Sequence, residues 1–168
     1  MDVSCFKAYD LRGRVPDQLN PELAERIGRA YVELTSARRV VVGYDIRLSS
    51  PEIAEALTTG LRAAGADVYD IGLCGTEQIY FATSHYSMDG GIMVTASHNP
   101  KDHNGMKLVG RESRLPGMSG DIFLNRVAHQ PPSLDPPQAR HIGKEMTERA
   151  FHNGRFTFCM SLLLASSD

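Results

Sequence analysis

The sequence predicts an α/β layered domain with a mostly parallel sheet. Three observations lead there. Short β-branched runs alternate along the chain with apolar stripes at helical spacing, two of those stripes open on a polar cap residue followed by proline, and the apolar runs are bounded by glycine. At 168 residues, and about 150 residues per domain, the expectation is one domain plus a modest extension.

Taken in order, Asn20-Pro21 is a cap with proline at the first helical position, and Leu23, Ile27, Tyr31 and Leu34 form one stripe, so a helix is expected over about 21–36. Arg38–Gly43 (RRVVVG) reads as a central strand covered on both faces. Ser50-Pro51 repeats the cap-and-proline start, Ile53, Leu57 and Leu61 carry the stripe, and Gly65 suits a C′ position. Ala66–Ile71 reads as a strand, Thr76–Tyr86 as a helix, and Gly91–Thr95 as a third buried strand. Met106–Val109 is short enough to be its neighbour through a hairpin-like connection instead of a crossover helix. Beyond about Gln130 four of the nine prolines cluster as Pro131, Pro132, Pro136 and Pro137, a linker composition. One amphipathic segment follows at Lys144–Phe151, and then an apolar, serine-rich end with no clear period.

Composition excludes several classes. Apolar residues at 42% and charged residues at 23% are ordinary globular values. Eighteen basic against twenty acidic residues give a net charge of −2 with no basic cluster, so neither nucleic acid nor an anionic membrane is an expected partner. Cys5, Cys74 and Cys159 are an odd number without a CxxC pair, which fits a reducing cytoplasm better than a disulfide framework. The amino terminus lacks the apolar core of a signal peptide, and the longest apolar stretch, around Phe156–Ala165, is far short of the roughly 20 residues that span a bilayer.

The densest polar segment is Thr95-Ala96-Ser97-His98-Asn99-Pro100 with Lys101-Asp102-His103-Asn104-Gly105-Met106-Lys107. It follows a buried strand, where open α/β sheets place ligand loops. A hydroxyl, an imidazole and an ammonium there suit nucleophilic attack, proton transfer and anion binding; the same residues also suit a plain polar turn closed by Asn-Pro and Asn-Gly. Ser97 and His98 are adjacent, so in extended backbone their side chains diverge and no hydrogen bond between them is expected. Nothing places His98, Asp102 and His103 on one face as a transition-metal site. There is no GxGxxG, no GxxxxGK[ST] and no GxSxG elbow. A second cluster, Phe6–Gly13 (FKAYDLRG), stands at the end of an expected first strand; Arg12 before Gly13 suits a phosphate, or an ordinary Asp10–Arg12 pair. In the third, Gly43–Ser50 (GYDIRLSS), Asp45 and Arg47 read as loop-ordering residues in preference to catalysts.

FKAYDLRG, GYDIRLSS, the GTEQIYFATSHYSMDGGIMVTASHNP run and HNGMKL stand in the order and approximate spacing of the first domain of the α-D-phosphohexomutase family. Over about residues 4–130 the chain resembles that family, and the GTEQIYFAT wording resembles its phosphomannomutase branch, which supplies GDP-mannose for surface polysaccharides. The resemblance implies a three-layer α/β/α sandwich with a mostly parallel, mixed sheet. It implies an isomerase that interconverts mannose 6-phosphate and mannose 1-phosphate through a phosphoserine and a hexose 1,6-bisphosphate. By resemblance Ser97 is that phosphoserine and one ligand of a catalytic Mg²⁺, which a doubly charged phosphoserine would need for charge neutralisation. His98 and Lys107 match positions beside it, Lys107 being the better candidate for proton transfer or phosphate stabilisation, and Tyr9 and Arg12 match residues that shape the site.

The departures are equally specific. The family enzyme has four domains; its aspartate-rich DGDxDR metal loop, sugar-reading loop and phosphate clamp lie in the later three, and none is present here. Gly117-Met118-Ser119-Gly120 mimics part of the sugar loop but sits at an ordinary first-domain turn. Arg140–Phe151 resembles the lead into a second domain, whereas FCMSLLLASSD does not, the pattern of a truncation or of a reading frame shifted near 155–160. The expectation is a domain at 1–130 carrying the phosphoserine loop, with a linker and the start of a second domain at 131–168. It would be an N-terminal fragment, inactive or nearly so without the remaining domains of the same enzyme. The alternatives are a non-catalytic sugar-phosphate-binding or interaction module and, more remotely, a small serine hydrolase using Ser97.

Overall fold

Alternating residues of the central strands face two separate cores, and this makes the domain three layers thick. The structure is a computed structural model that describes Cys5 and residues 10–110 and 120–130. Its elements are β1 (Asp10–Arg14), α1 (Pro21–Thr35), β2 (Arg39–Tyr44), α2 (Ser50–Ala63), β3 (Asp67–Leu73), α3 (Thr76–His85), β4 (Gly90–Val94), β5 (His103–Gly110) and α4 (Gly120–Ala128). On β2, Val40 and Val42 join the core under α1 and α2, while Val41 joins the core under α3. On β4, Ile92 and Val94 face the first core and Met93 the second. A strand covered on both faces must be apolar at every position, and all five residues of β4 are buried.

The sheet order is β1-β5-β4-β2-β3. β2 runs parallel to β3 and β4, while β5 is antiparallel to both β4 and β1, so β5 alone runs against the other four. The expected mostly parallel, mixed sheet in an α/β/α sandwich is what forms. The expected Met106–Val109 strand begins earlier, at His103, because antiparallel pairing to β1 carries it back to the register Arg14↔His103.

Helix starts follow their caps in one case and not in the other. The Leu23 amide donates to Asn20 Oδ1 at 2.9 Å, a cap whose removal costs about 0.5–2 kcal/mol. Ser50, expected to cap α2, instead lies in its first turn after Ser49, and neither hydroxyl caps the helix. Gly65 adopts φ +94° after the end of α2, a left-handed conformation that needs glycine. α4 had no counterpart in the sequence reading; its signal is Phe123 and Val127, four apart and both buried in the core beneath α1 and α2. The described part of the FKAYDLRG cluster, Asp10–Gly13, lies within the first strand from its first residue, with Arg12 opposite Gly105 in mid-strand. Gly117–Ser119, the proline cluster, Lys144–Phe151 and the carboxyl-terminal tail lie outside the described residues.

Cys74 follows β3, with Sγ 3.8 Å from the Met93 sulfur. Burial pushes its thiol up to about 12, a hydrogen bond from the Tyr44 backbone opposes that, and the charges of Asp70, Asp45 and Glu77 add smaller upward pushes. The raised value means that the neutral thiol is the form the fold favours, and this contribution is lost only as pH climbs past the ordinary thiol range of about 8.5. At pH 8 Cys74 should therefore carry on the order of a thousandfold less thiolate than a free cysteine. Iodoacetamide labelling of the folded chain, followed by peptide mass analysis, should show alkylation at Cys74 at least about 100-fold slower than in urea. Equal rates would mean that the thiol is not buried as described.

Candidate functional site

The loop between β4 and β5 stands at the carboxyl end of the parallel strands, where the preceding strand is fully buried and the next begins at His103. Its centre is Ser97, which takes φ +53°. For a residue with a Cβ this left-handed conformation costs about 1–2 kcal/mol, so neighbouring interactions must hold it. The Ser97 amide donates to Thr95 Oγ1 at 2.9 Å, and Asn99 closes the turn on Ala96 O through both its amide (3.1 Å) and its Nδ2 (2.7 Å).

Arg47 supplies the rest. From the loop after β2 its guanidinium donates to four backbone carbonyls of the other loop: Nη2 to Ser97 O (2.8 Å) and Asn99 O (2.7 Å), Nη1 to Pro100 O (2.7 Å) and His103 O (3.0 Å). Asp45 Oδ2 lies 3.4 Å from Arg47 Nε, and the pair is mostly buried. The same carboxylate accepts Thr95 Oγ1 at 2.6 Å and Ser50 Oγ at 2.6 Å. Buried Asn104 completes the network, donating to the hydroxyls of Ser49 and Ser50 at 2.9 Å each. Ser50 is thereby taken away from capping α2. Charge-assisted bonds of this kind are shorter and stronger than neutral ones, and a planar five-donor fork is the one side chain able to gather four carbonyls. The sequence offered Ser50 as a helix cap and Thr95 and Asn104 as members of the polar segment, but nothing local marks Thr95 and Ser50 as partners of Asp45, or Asn104 as a partner of Ser50.

Ser97 Oγ lies 3.0 Å from His98 Nδ1, and both side chains are exposed. This corrects the expectation that the neighbours diverge. That expectation assumed extended backbone, whereas the left-handed Ser97 turns both side chains to one side. Lys107 extends from β5 on the α3 side of the sheet, its Nζ 5.4 Å from the centroid of the Tyr80 ring, a cation–π contact that the sequence did not announce. Arg12, on the same face opposite Gly105, passes its side chain over that glycine: a Cβ added there would meet Arg12 Cγ at 3.1 Å. Tyr9 lies outside the described residues.

His103 Nδ1 sits 2.9 Å from Asp102 Oδ1, and that bond lowers the Asp102 carboxyl below the ordinary carboxylate range. His98 thus pairs with Ser97 while Asp102 and His103 pair with each other, and among the described residues no group of three or more His, Cys, Asp or Glu side chains is placed to hold a metal. At this loop the described residues offer hard oxygens from Ser97 Oγ and the exposed Asp102 carboxylate, while Asp45 is already committed to Arg47, Thr95 and Ser50. By themselves they do not make a Mg²⁺ site. No helix among the described residues is long and apolar enough to cross a membrane.

Residues 3–116 match the family model described as phosphoglucomutase/phosphomannomutase, alpha/beta/alpha domain I. The chain is 58% identical over 125 residues to a phosphomannomutase of Salmonella typhimurium, covering 74% of this chain and 27% of that protein. It is 53% identical over 139 residues to a phosphomannomutase of Klebsiella pneumoniae, covering 80% of this chain and 87% of that relative. Among solved structures, a phosphoglucomutase/phosphomannomutase family protein from Burkholderia thailandensis superposes with a TM-score of 0.66 at 41% identity, covering 74% of this chain and 30% of that one. The chain therefore spans under a third of the Salmonella and Burkholderia proteins.

Proposed function

The chain belongs to the phosphoglucomutase/phosphomannomutase family, whose α/β/α domain I it carries, and on that premise we propose that it is the phosphoserine domain of a cytoplasmic phosphomannomutase. Residues 1–130 form that domain, and 131–168 lead toward further domains of the same enzyme. The substrates are mannose 6-phosphate and mannose 1-phosphate, in the supply of GDP-mannose. Ser97 carries the phosphoryl group: the bond from Oγ to phosphorus breaks, leaving its electron pair on Oγ, as a sugar hydroxyl bonds to phosphorus and its proton passes to Oγ. The reverse step, on the reoriented hexose 1,6-bisphosphate, returns a phosphoryl group to Oγ.

The observation that supports this reading best is the presentation of Ser97: an exposed hydroxyl on a left-handed residue, at the carboxyl end of the sheet, on a loop whose carbonyls are gathered by one half-buried arginine. His98 Nδ1 stands within hydrogen-bond reach of the Oγ proton. Lys107 and Arg12 offer positive charge on one face of the sheet for a sugar phosphate, with Tyr9 three positions before Arg12 in sequence. Mg²⁺ bound with Ser97 and with ligands from a further domain would supply charge neutralisation during transfer. The flanks of Arg47 support a covering domain: Ile46 is 86% and Leu48 101% exposed, and Leu73 at the same end of the sheet is 62% exposed.

The test joins residues 1–150 to the later domains of the Salmonella relative and follows conversion of mannose 1-phosphate to mannose 6-phosphate with Mg²⁺ and a hexose 1,6-bisphosphate. Turnover by the joined protein, with none by the 168-residue chain, is the expected result. A joined protein that folds and binds mannose 1-phosphate without turning it over would favour the binding module instead.

A further inference from the structure

We infer that Arg47 is the positioning residue that holds Ser97 in its working conformation, with Asp45 as the group that aims it. The inference rests on the reading of Ser97 as the phosphoryl carrier and goes beyond it, because Arg47 bonds to backbone carbonyls of the loop and not to the Ser97 hydroxyl. It acts on the backbone. A left-handed Ser97 is disfavoured, and the four bonds from Arg47 to the carbonyls of Ser97, Asn99, Pro100 and His103 span the whole loop on both sides of Asn99. In a trans peptide each carbonyl points opposite to the following N–H. Gathering the Ser97 and Pro100 carbonyls on one cation therefore turns the N–H groups of His98 and Lys101 away from Arg47.

The aim of the guanidinium is set from behind. Asp45 accepts the Arg47 amide at 3.1 Å and faces its Nε at 3.4 Å. It also binds Thr95 Oγ1, which in turn accepts the Ser97 amide. Two routes thus run from Asp45 to Ser97, one through Arg47 to the carbonyl and one through Thr95 to the amide. Both ends of one residue are fixed by a single carboxylate more than 50 positions earlier in the chain. A lysine at 47 keeps the charge but, as a compact ammonium with three donors, cannot serve four carbonyls in a plane.

The test has two independent readouts. In the 168-residue chain, Arg47→Ala should raise the rate of tryptic cleavage after exposed Lys101 at least tenfold while Cys74 stays protected from alkylation, which shows the core still folded. In the joined enzyme Arg47→Ala should lower kcat roughly 100-fold, the scale expected when a reacting group is misplaced by about 1 Å, with KM within threefold. Millimolar guanidinium ion should restore part of that kcat. If Arg47→Ala does not fold, Arg47→Lys is used with the same readouts and the same direction of change. Unchanged cleavage after Lys101, or an unchanged kcat in a folded variant, overturns the inference. Should Ser97→Ala leave the joined enzyme active, the phosphoryl-carrier reading fails, while the cleavage readout still decides whether Arg47 holds the loop.

Discussion

Ser97→Ala in the joined enzyme should lose at least on the order of a thousandfold in turnover, since removing the atom that carries the transferred group closes the covalent route altogether. The same variant should fold normally. The hydrogen-bond contact of Ser97 Oγ is the exposed one with His98 Nδ1, and the bonds that shape the loop go to the backbone of residue 97, which alanine retains. Thermal unfolding of the 168-residue variant within about 2 °C of the parent, together with lost turnover in the joined protein, would separate a chemical role from a structural one. Mass analysis of the joined enzyme with Ser97 intact, after incubation with Mg²⁺ and a hexose 1,6-bisphosphate, should find one added phosphoryl group on the peptide that holds Ser97. Full turnover by the alanine variant, or the phosphoryl group on another residue, would remove Ser97 from this role.

Gly60→Ala should destabilise the domain by at least about 2 kcal/mol, as overpacking a close contact does. Propensity alone predicts the opposite sign, because alanine is favoured over glycine within a helix by about 0.5–1 kcal/mol. Tertiary packing decides. α1 and α2 cross with Gly28 and Gly60 at the contact: a Cβ on Gly60 would fall inside the Glu25 carbonyl, and one on Gly28 would meet the Leu57 carbonyl and lie 2.7 Å from the Leu61 nitrogen. These neighbours are backbone atoms of the opposing helix, so no side chain can swing aside to make room. Urea unfolding followed by circular dichroism gives the sign directly. A gain in stability would mean that the helices stand further apart than described.

The crossing glycines were not singled out in the sequence, although the stripes that surround them were. Ile53, Leu57 and Leu61 declare the buried face of α2 because their spacing repeats within one helix. Gly28 and Gly60 declare nothing, since a glycine's role there depends on a backbone 32 residues away. Cap signals behaved in the same way. Asn20 capped α1 as its local sequence predicts, whereas Ser50 was drawn off by Asp45 and Asn104, a competition in which the local motif carries no vote. α4 was overlooked because a nine-residue helix with two buried apolar positions hardly rises above loop composition.

The sequence by itself determined the alternation of strands and helices, the two-sided burial of the central strands, the place of the polar loop after β4 and, through four separated segments, the family. Each of these is written in residues that are neighbours along the chain or one helical turn apart. Only the tertiary structure decided that β5 reaches back to His103 to pair with β1, that Ser97 is left-handed and turned toward His98, and that Arg47 spans the loop while Asp45 aims it. Those outcomes depend on backbone carbonyls, which every residue carries and no sequence pattern distinguishes. A guanidinium can find four of them only after the folded sheet has brought residues 47 and 97–103 together.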